Sequence, residues 1–204
     1  MDAPTMHSLS HTVANLDRVP EPWCDLSSSY RPQAFRVQWA SGPWMNQEAH
    51  ALRRQVFCAE QGLFDGDDVD DIDRNVPSVR SLVALSCLAG EPDEVLGTVR
   101  IHEALPGTWW GSRLAVRRDW RQHGKLGSTL IRLAVCSAHA QGCTEFLAHV
   151  QAQNVALFRR MHWQVLDEMV LHGRVHALMR ADLDHYPPCA TPFAGFVLTQ
   201  GAGA

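Results

Sequence analysis

The sequence predicts an α/β domain on a mixed sheet, from three observations. Strand-like and helix-like segments follow one another between residues 34 and 186 in the order β-α-β-β-β-α-β-α-β-β. Glycines stop both long helical runs, at Gly62 and Gly142, and Gly173 joins the last two strands as a hairpin. The composition, 46% hydrophobic and 20% charged over 204 residues, is that of a globular chain able to form a sizeable core.

AFRVQWA (34–40) reads as the first strand. Met45, Ala49, Leu52, Val56 and Ala59 recur at three and four residues, predicting a helix over 45–62. SLVALSCL (81–88) is apolar throughout, as a strand buried on both faces requires. VLGTVRIH (95–102) alternates, with Val95, Val99 and Ile101 on one side and Thr98, Arg100 and His102 on the other. GSRLAV (111–116) is the next strand. A helix over 126–141 carries Leu126, Leu130, Leu133, Ala134 and Ala138 on one stripe. EFLAHV (145–150) is a strand, 154–161 a short helix, and WQVLDEMVL with VHALMRADL the closing hairpin.

Residues 1–33, broken by Pro20, Pro22 and Pro32, are expected to form an extended N-terminal arm. The domain is expected over 34–186 and a Pro-, Gly- and Ala-rich tail over 187–204, whose Phe193, Phe196, Val197 and Leu198 would dock on the domain or on a second subunit as a homodimer.

A net charge of −4 gives no electrostatic footprint for nucleic acid, although cations gather around 113–132, which suits a small anionic ligand. No apolar run approaches the roughly 18 residues of a membrane span, and the first residues lack a signal-peptide pattern. Six scattered cysteines without a C-x-x-C pair read as reduced thiols, so a cytoplasmic location is expected. His172, His176, His185 and Cys189 have no spacing with a fixed metal geometry, and no metal is expected.

RQHGKLGS (121–128) lies at a strand-to-helix junction. Gly124 and Gly127 give access to backbone N–H groups, Arg121 and Lys125 supply charge, and Ser128 can cap. It is neither a P-loop nor the G-x-G-x-x-G fingerprint, so spacing alone leaves a glycine turn and a phosphate cradle equally open.

The longer segment LAVRRDWRQHGKLGSTLI (114–131) resembles the acyl-CoA-binding motif of the GNAT (general N-acetyltransferase) superfamily, Gln/Arg-x-x-Gly-x-Gly/Ala between a central strand and a long helix. The resemblance implies a single domain with a mostly antiparallel sheet flanked by helices. It implies an N-acyltransferase moving an acetyl or other acyl group from acyl-CoA to a small amine, with a non-catalytic CoA-binding protein as an alternative. Leu114, Ala115 and Val116 would then lie along pantetheine. The backbone of Arg121, Gln122, His123, Gly124, Lys125, Leu126, Gly127 and Ser128 would hold the pyrophosphate. Asn154 and Phe158 match the family's Asn…Tyr segment, with Phe158 where a thiolate-protonating Tyr often stands. The loop here is one residue longer than the signature.

The acidic stretch RRQVFCAEQGLFDGDDVDDIDR (53–74) fails as a calcium loop, since Val76 and Leu82 stand where Gly and Glu belong. Arg53-x-x-Val56-Phe57, Asp68-x-Asp70-x-x-Asp73, Arg100 and Ser112-Arg113 resemble the layout of acyl-homoserine-lactone synthases. Those GNAT-fold enzymes use acyl carrier protein and S-adenosylmethionine; the Glu they carry two before Ser-Arg is Trp110 here. The strings VFC-x-EQG, WWGSRLAV and AHVQAQN are similar to a GNAT subfamily encoded near nitrilase-type genes. Arg53, Phe57, Asp70, Asp73, Arg100 and Arg113 are the expected acceptor-binding residues, the carboxylates receiving a cationic amine. Arg53, Phe57 and Glu60 fall at i, i+4 and i+7 of a helix. Candidate general bases are Glu103, Glu60 and His149, with a backbone N–H at Val116 as oxyanion donor.

Overall fold

Apolar alternation in the sequence becomes one eight-stranded sheet in the computed structural model, which describes residues 32–122 and 125–199. The expected N-terminal arm lies outside these residues except for Pro32 and Gln33. Strand β1 (Ala34–Trp39) leads to helix α1 (Gly42–Arg54), which continues as a π-helical turn over Gln55–Glu60. After the acidic loop and the short α2 (Asp71–Asn75) come β2 (Arg80–Leu88), β3 (Glu91–Leu105) and β4 (Thr108–Val116). Helix α3 (Leu126–His139) crosses to β5 (Glu145–Gln151); α4 (Val155–Arg160), β6 (Trp163–Leu171), β7 (Arg174–Ala181) and β8 (Phe196–Thr199) complete the chain.

The strand order is β6-β7-β5-β4-β3-β2-β1-β8, and β4–β5 is the one parallel pair among the described strands. The fold is thus a mixed, mostly antiparallel sheet flanked by helices. Two cores form. On one face Leu126, Leu130 and Leu133 of α3 meet Phe35, Ile101, Phe146 and Met179. On the other, Met45, Ala49, Leu52, Val56 and Phe57 cover Val83, Leu85, Val95 and Ala115. Each leucine fully buried in this way stabilises by about 1.5–3 kcal/mol.

The single apolar face read along β3 is in fact divided. Residue Leu96 is inserted between the pairs Ala84↔Gly97 and Leu85↔Val95, so Val95 faces α1 while Val99 and Ile101 face α3. The segment expected as a tail supplies β8, which pairs with β1. Gly195 makes that approach possible: its φ is +61°, and a Cβ there would lie 1.9 Å from the Val37 carbonyl oxygen. Gly195→Val should detach β8 and cost about 1–3 kcal/mol, read as a lower urea midpoint.

Candidate active site

The two parallel strands part midway. Strand β4 pairs with β5 from Thr108↔Glu145 to Gly111↔Ala148 and no further. Beyond that point β4 stays with β3, while β5 stays with β7 through His149↔Leu178 and Gln151↔His176. The edge of β4 from Ser112 to Val116 therefore faces a gap in which none of the described strands engages its backbone, and buried backbone groups need partners.

A bulge marks the parting. The pairing moves from Thr98↔Ala115 to Arg100↔Ser112, so Arg113 and Leu114 together oppose Val99. Arg113 has φ 54°, a left-handed conformation that costs an arginine on the order of 1–3 kcal/mol. Such strain persists only where the surroundings hold it.

Beyond β4 the chain turns through Arg118–Trp120 into α3, whose N-cap Lys125 is also left-handed and whose first turn contains no acidic residue. Ser128 donates its hydroxyl to the Lys125 carbonyl at 2.8 Å. Leu126 is sunk in the core, leaving Gln122 and Lys125 exposed and the first N–H groups of α3 without intrahelical partners. A Cβ on Gly127 would meet nothing nearer than Val116 Cγ2 at 3.7 Å, so no internal contact demands glycine there. His123 and Gly124 lie outside the described residues.

Under the bulge, three arginines and three aspartates close a ring of ion pairs. Arg53, in the last turn of α1, binds Asp68 through Nε at 2.8 Å and grips both oxygens of Asp73 at 2.9 and 2.8 Å. Arg100 of β3 grips both oxygens of Asp70, reaches Asp73 at 2.7 Å and donates Nε to the Ser112 hydroxyl at 3.0 Å. Arg113 closes the circuit to Asp68 at 2.9 Å and Asp70 at 3.1 Å. Its guanidinium lies 4.4 Å over the Phe64 ring and 6.0 Å from that of Phe57. Asp70 also caps α2, accepting from the N–H groups of Ile72 and Asp73.

The model of the Acetyltransferase (GNAT) family matches residues 34–163. The chain belongs to this family, and it is an acyltransferase. No curated protein matches it. Among solved structures it is similar to an assigned N-acetyltransferase from Lactobacillus plantarum, at 20% identity and TM-score 0.63, over 72% of this chain and 97% of that one. An acyl-CoA N-acyltransferase from Pseudomonas aeruginosa aligns at 19% identity and TM-score 0.57, over 72% and 98%. FeeM, an N-acyl amino acid synthase from uncultured soil microbes, aligns at 9% identity and TM-score 0.59, over 76% and 95%. At these identities the structures speak for the GNAT fold alone.

The residues singled out in the sequence have different surroundings in the GNAT fold. Glu103 accepts the Gly107 N–H at 2.8 Å in the β3–β4 turn, at the opposite end of β4 from Val116. Glu60 is carried out of line with Arg53 and Phe57 by the wider π-helical turn and pairs with Arg121. Arg121 also donates to the Val116 carbonyl at 3.0 Å. His149 is exposed one residue past the last β4–β5 pair, 4.9 Å from Trp110 between ring centres. Partial loss of solvent, and repulsion from His176, lower its pKa, so the ring is neutral at pH 7.

Asn154 is exposed after β5, whereas Phe158 is buried edge-on against Trp163. The side chains of Leu114 and Ala115 pack into the two cores, which leaves their backbone to face the gap. Asp70 and Asp73 already hold arginines and are not free carboxylates awaiting an amine.

Sequence reasoning passed over Gln61 and Phe64, which receive the β6–β7 hairpin. Arg174 donates to the Gln61 carbonyl at 2.8 Å, Gln151 to its side chain at 3.1 Å, and His172 packs on Phe64. Only a fold can bring these distant segments together. Among the described residues no His, Cys, Asp and Glu cluster would hold a metal ion, and no helix is long and apolar enough to cross a membrane.

Burial favours the protonated form of Asp73 but is overruled by Arg53 and Arg100, which hold its carboxyl well below the usual range; Arg100 does the same for Asp70. Depressed folded pKa values stabilise above the unfolded value near 4 and lose that contribution as pH falls toward the folded ones. Asp73→Asn, which breaks a buried network on one side only, should cost about 3–5 kcal/mol at pH 7. Its urea midpoint should also vary less than the wild type's below pH 4.

Proposed function

We propose that the enzyme transfers an acyl group from acyl-CoA to a small amine by direct attack in a ternary complex. The gap between β4 and β5, opening toward the first turn of α3, carries this reading. An extended thioester arm laid along Ser112–Val116 would take up the backbone groups that β5 leaves unengaged. The N–H groups of Leu126, Gly127 and Ser128, with Lys125, Gln122 and the helix dipole, suit the pyrophosphate. Asn154, exposed in the turn that follows β5, would contribute from that strand's side.

Acyl-CoA supplies a thioester carbonyl as electrophile and a thiolate as leaving group. Backbone N–H groups of the unpaired edge toward Val116 stabilise the developing oxyanion, one such donor being worth about 10²–10³ in rate. His149 takes the proton from the amine, supported by its place at the parting point and its lowered pKa. Glu103 and Glu60 are engaged elsewhere. With Phe158 in the core, the thiolate departs without a tyrosine; a thiol pKa of about 8.5 makes that tolerable.

A second reading, an autoinducer-synthase-like reaction with acyl carrier protein and S-adenosylmethionine, is favoured by the closed ring of Arg53, Arg100, Arg113 and their aspartates. It requires that acetyl-CoA give no turnover.

Acetyl-CoA at about a hundredfold its Kd should add roughly 2.7 kcal/mol of stability, and thiol release with an amine panel should follow. Absence of both sinks the first reading. Gly127→Ala should leave the unfolding midpoint unchanged or higher, since alanine favours helix, while weakening CoA binding measured by calorimetry. His149→Gln should lower kcat by about 10²–10⁴ and abolish the acid limb of the pH–rate profile, in which wild-type activity falls as pH drops through a value below 6.5.

A further inference from the structure

Arg113 differs from the other two arginines of the ring in one respect. Arg53 uses Nε, Nη1 and Nη2, and so does Arg100. Arg113 uses Nε on Asp68 and Nη2 on the Asp68 carbonyl and on Asp70. Its Nη1, with two N–H donors, has no hydrogen-bond partner among the described residues. The side chain is 16% exposed, against 1% for Arg53 and 2% for Arg100, so it is the most accessible of the three.

Its setting is that of a held recognition group. The bulge with φ 54° lifts it out of the β4 ladder at the parting point, one residue from Ser112. Asp68, Asp70 and the Phe64 face fix the guanidinium plane, so little freedom remains to be lost on binding. Burial and the nearby Arg100 both disfavour its positive charge, and a further anion would relieve them. The Phe64 ring, on which His172 packs in turn, adds apolar surface against it.

We infer that Arg113 selects the acceptor through Nη1, and that the acceptor is an amine bearing a carboxylate, an α-amino acid, which the enzyme converts to its N-acyl derivative. This rests on the acyl-CoA reading above. The carboxylate docks on Arg113 while the neutral amino group turns toward His149 and the thioester. Atoms balance: the amine nitrogen gains the acyl carbon and loses one proton to His149, and the thiolate leaves.

The test uses matched acceptors with wild-type enzyme and acetyl-CoA: phenylalanine, leucine and glutamate, each beside its α-carboxamide and its decarboxylated amine. Within at least one set, the amino acid should exceed both partners in kcat/KM by about 10–100-fold, as expected for a hydrogen bond to a charged group. In Arg113→Lys, which keeps the charge but loses the planar fork, that preference should shrink about tenfold. Thiol release in which amides or plain amines equal or outdo the amino acids would overturn the inference and leave the acyltransferase reading standing. Acetyl-CoA binding with an unaltered preference in a folded Arg113→Lys would overturn the role of Arg113. No thermal shift with acetyl-CoA and no thiol release with any acceptor would remove the acyl-CoA reading and this inference with it.

Discussion

Six charges in a closed circuit organise one side of this molecule. Arg53, Arg100 and Arg113 come from a helix, a strand and a bulge, and Asp68, Asp70 and Asp73 come from a single loop. Leu63 and Phe64 anchor the start of that loop on the core, but α2 buries no residue. Beyond Phe64 its position is therefore set more by electrostatics and hydrogen bonding than by packing. Removing six charges from water is costly, and the cost is offset only because each arginine meets two carboxylates in near-ideal geometry. The same circuit holds Arg113 in a backbone conformation that an isolated strand would abandon.

The bulge links this network to chemistry. A regular β4 would keep its ladder with β3 unbroken and give Arg113 an ordinary strand conformation. The extra residue lifts the backbone where β5 turns away with β7, so the gap and the ring meet at Ser112–Arg113. In the proposed reaction the free edge of β4 would take the acyl donor, and the ring would form the polar floor on the acceptor side. Burial of α3 against the sheet keeps its first turn beside Val116, at the end of β4.

Much of this was legible in the chain. Period and glycine punctuation marked each strand and helix from Ala34 to Ala181 except the short α2, and the residues of the ring stood out as an unusual acidic run with spaced arginines. What stayed hidden depends on pairing. An inserted Leu96 turns Val95 to the other face, and the π-helical turn sends Glu60 to Arg121, because a one-residue change of period has no compositional mark. Phe158 looked like a displaced catalytic tyrosine in the motif; only packing against Trp163 reveals it as core. The proline- and glycine-rich segment after Pro187 hid four residues of strand.

That last strand bears on how the sheet is assembled. β1 lies between β2, the next strand along the chain, and β8, at the far end of the described residues. Until residues 196–199 are in place, β1 presents an open edge of unpaired N–H and C=O groups. Closing so long a loop is entropically slow, and contacts of this separation retard folding. The β1–β8 seam is thus expected to form last, and the unfinished sheet to be the species most prone to pair with another copy of itself.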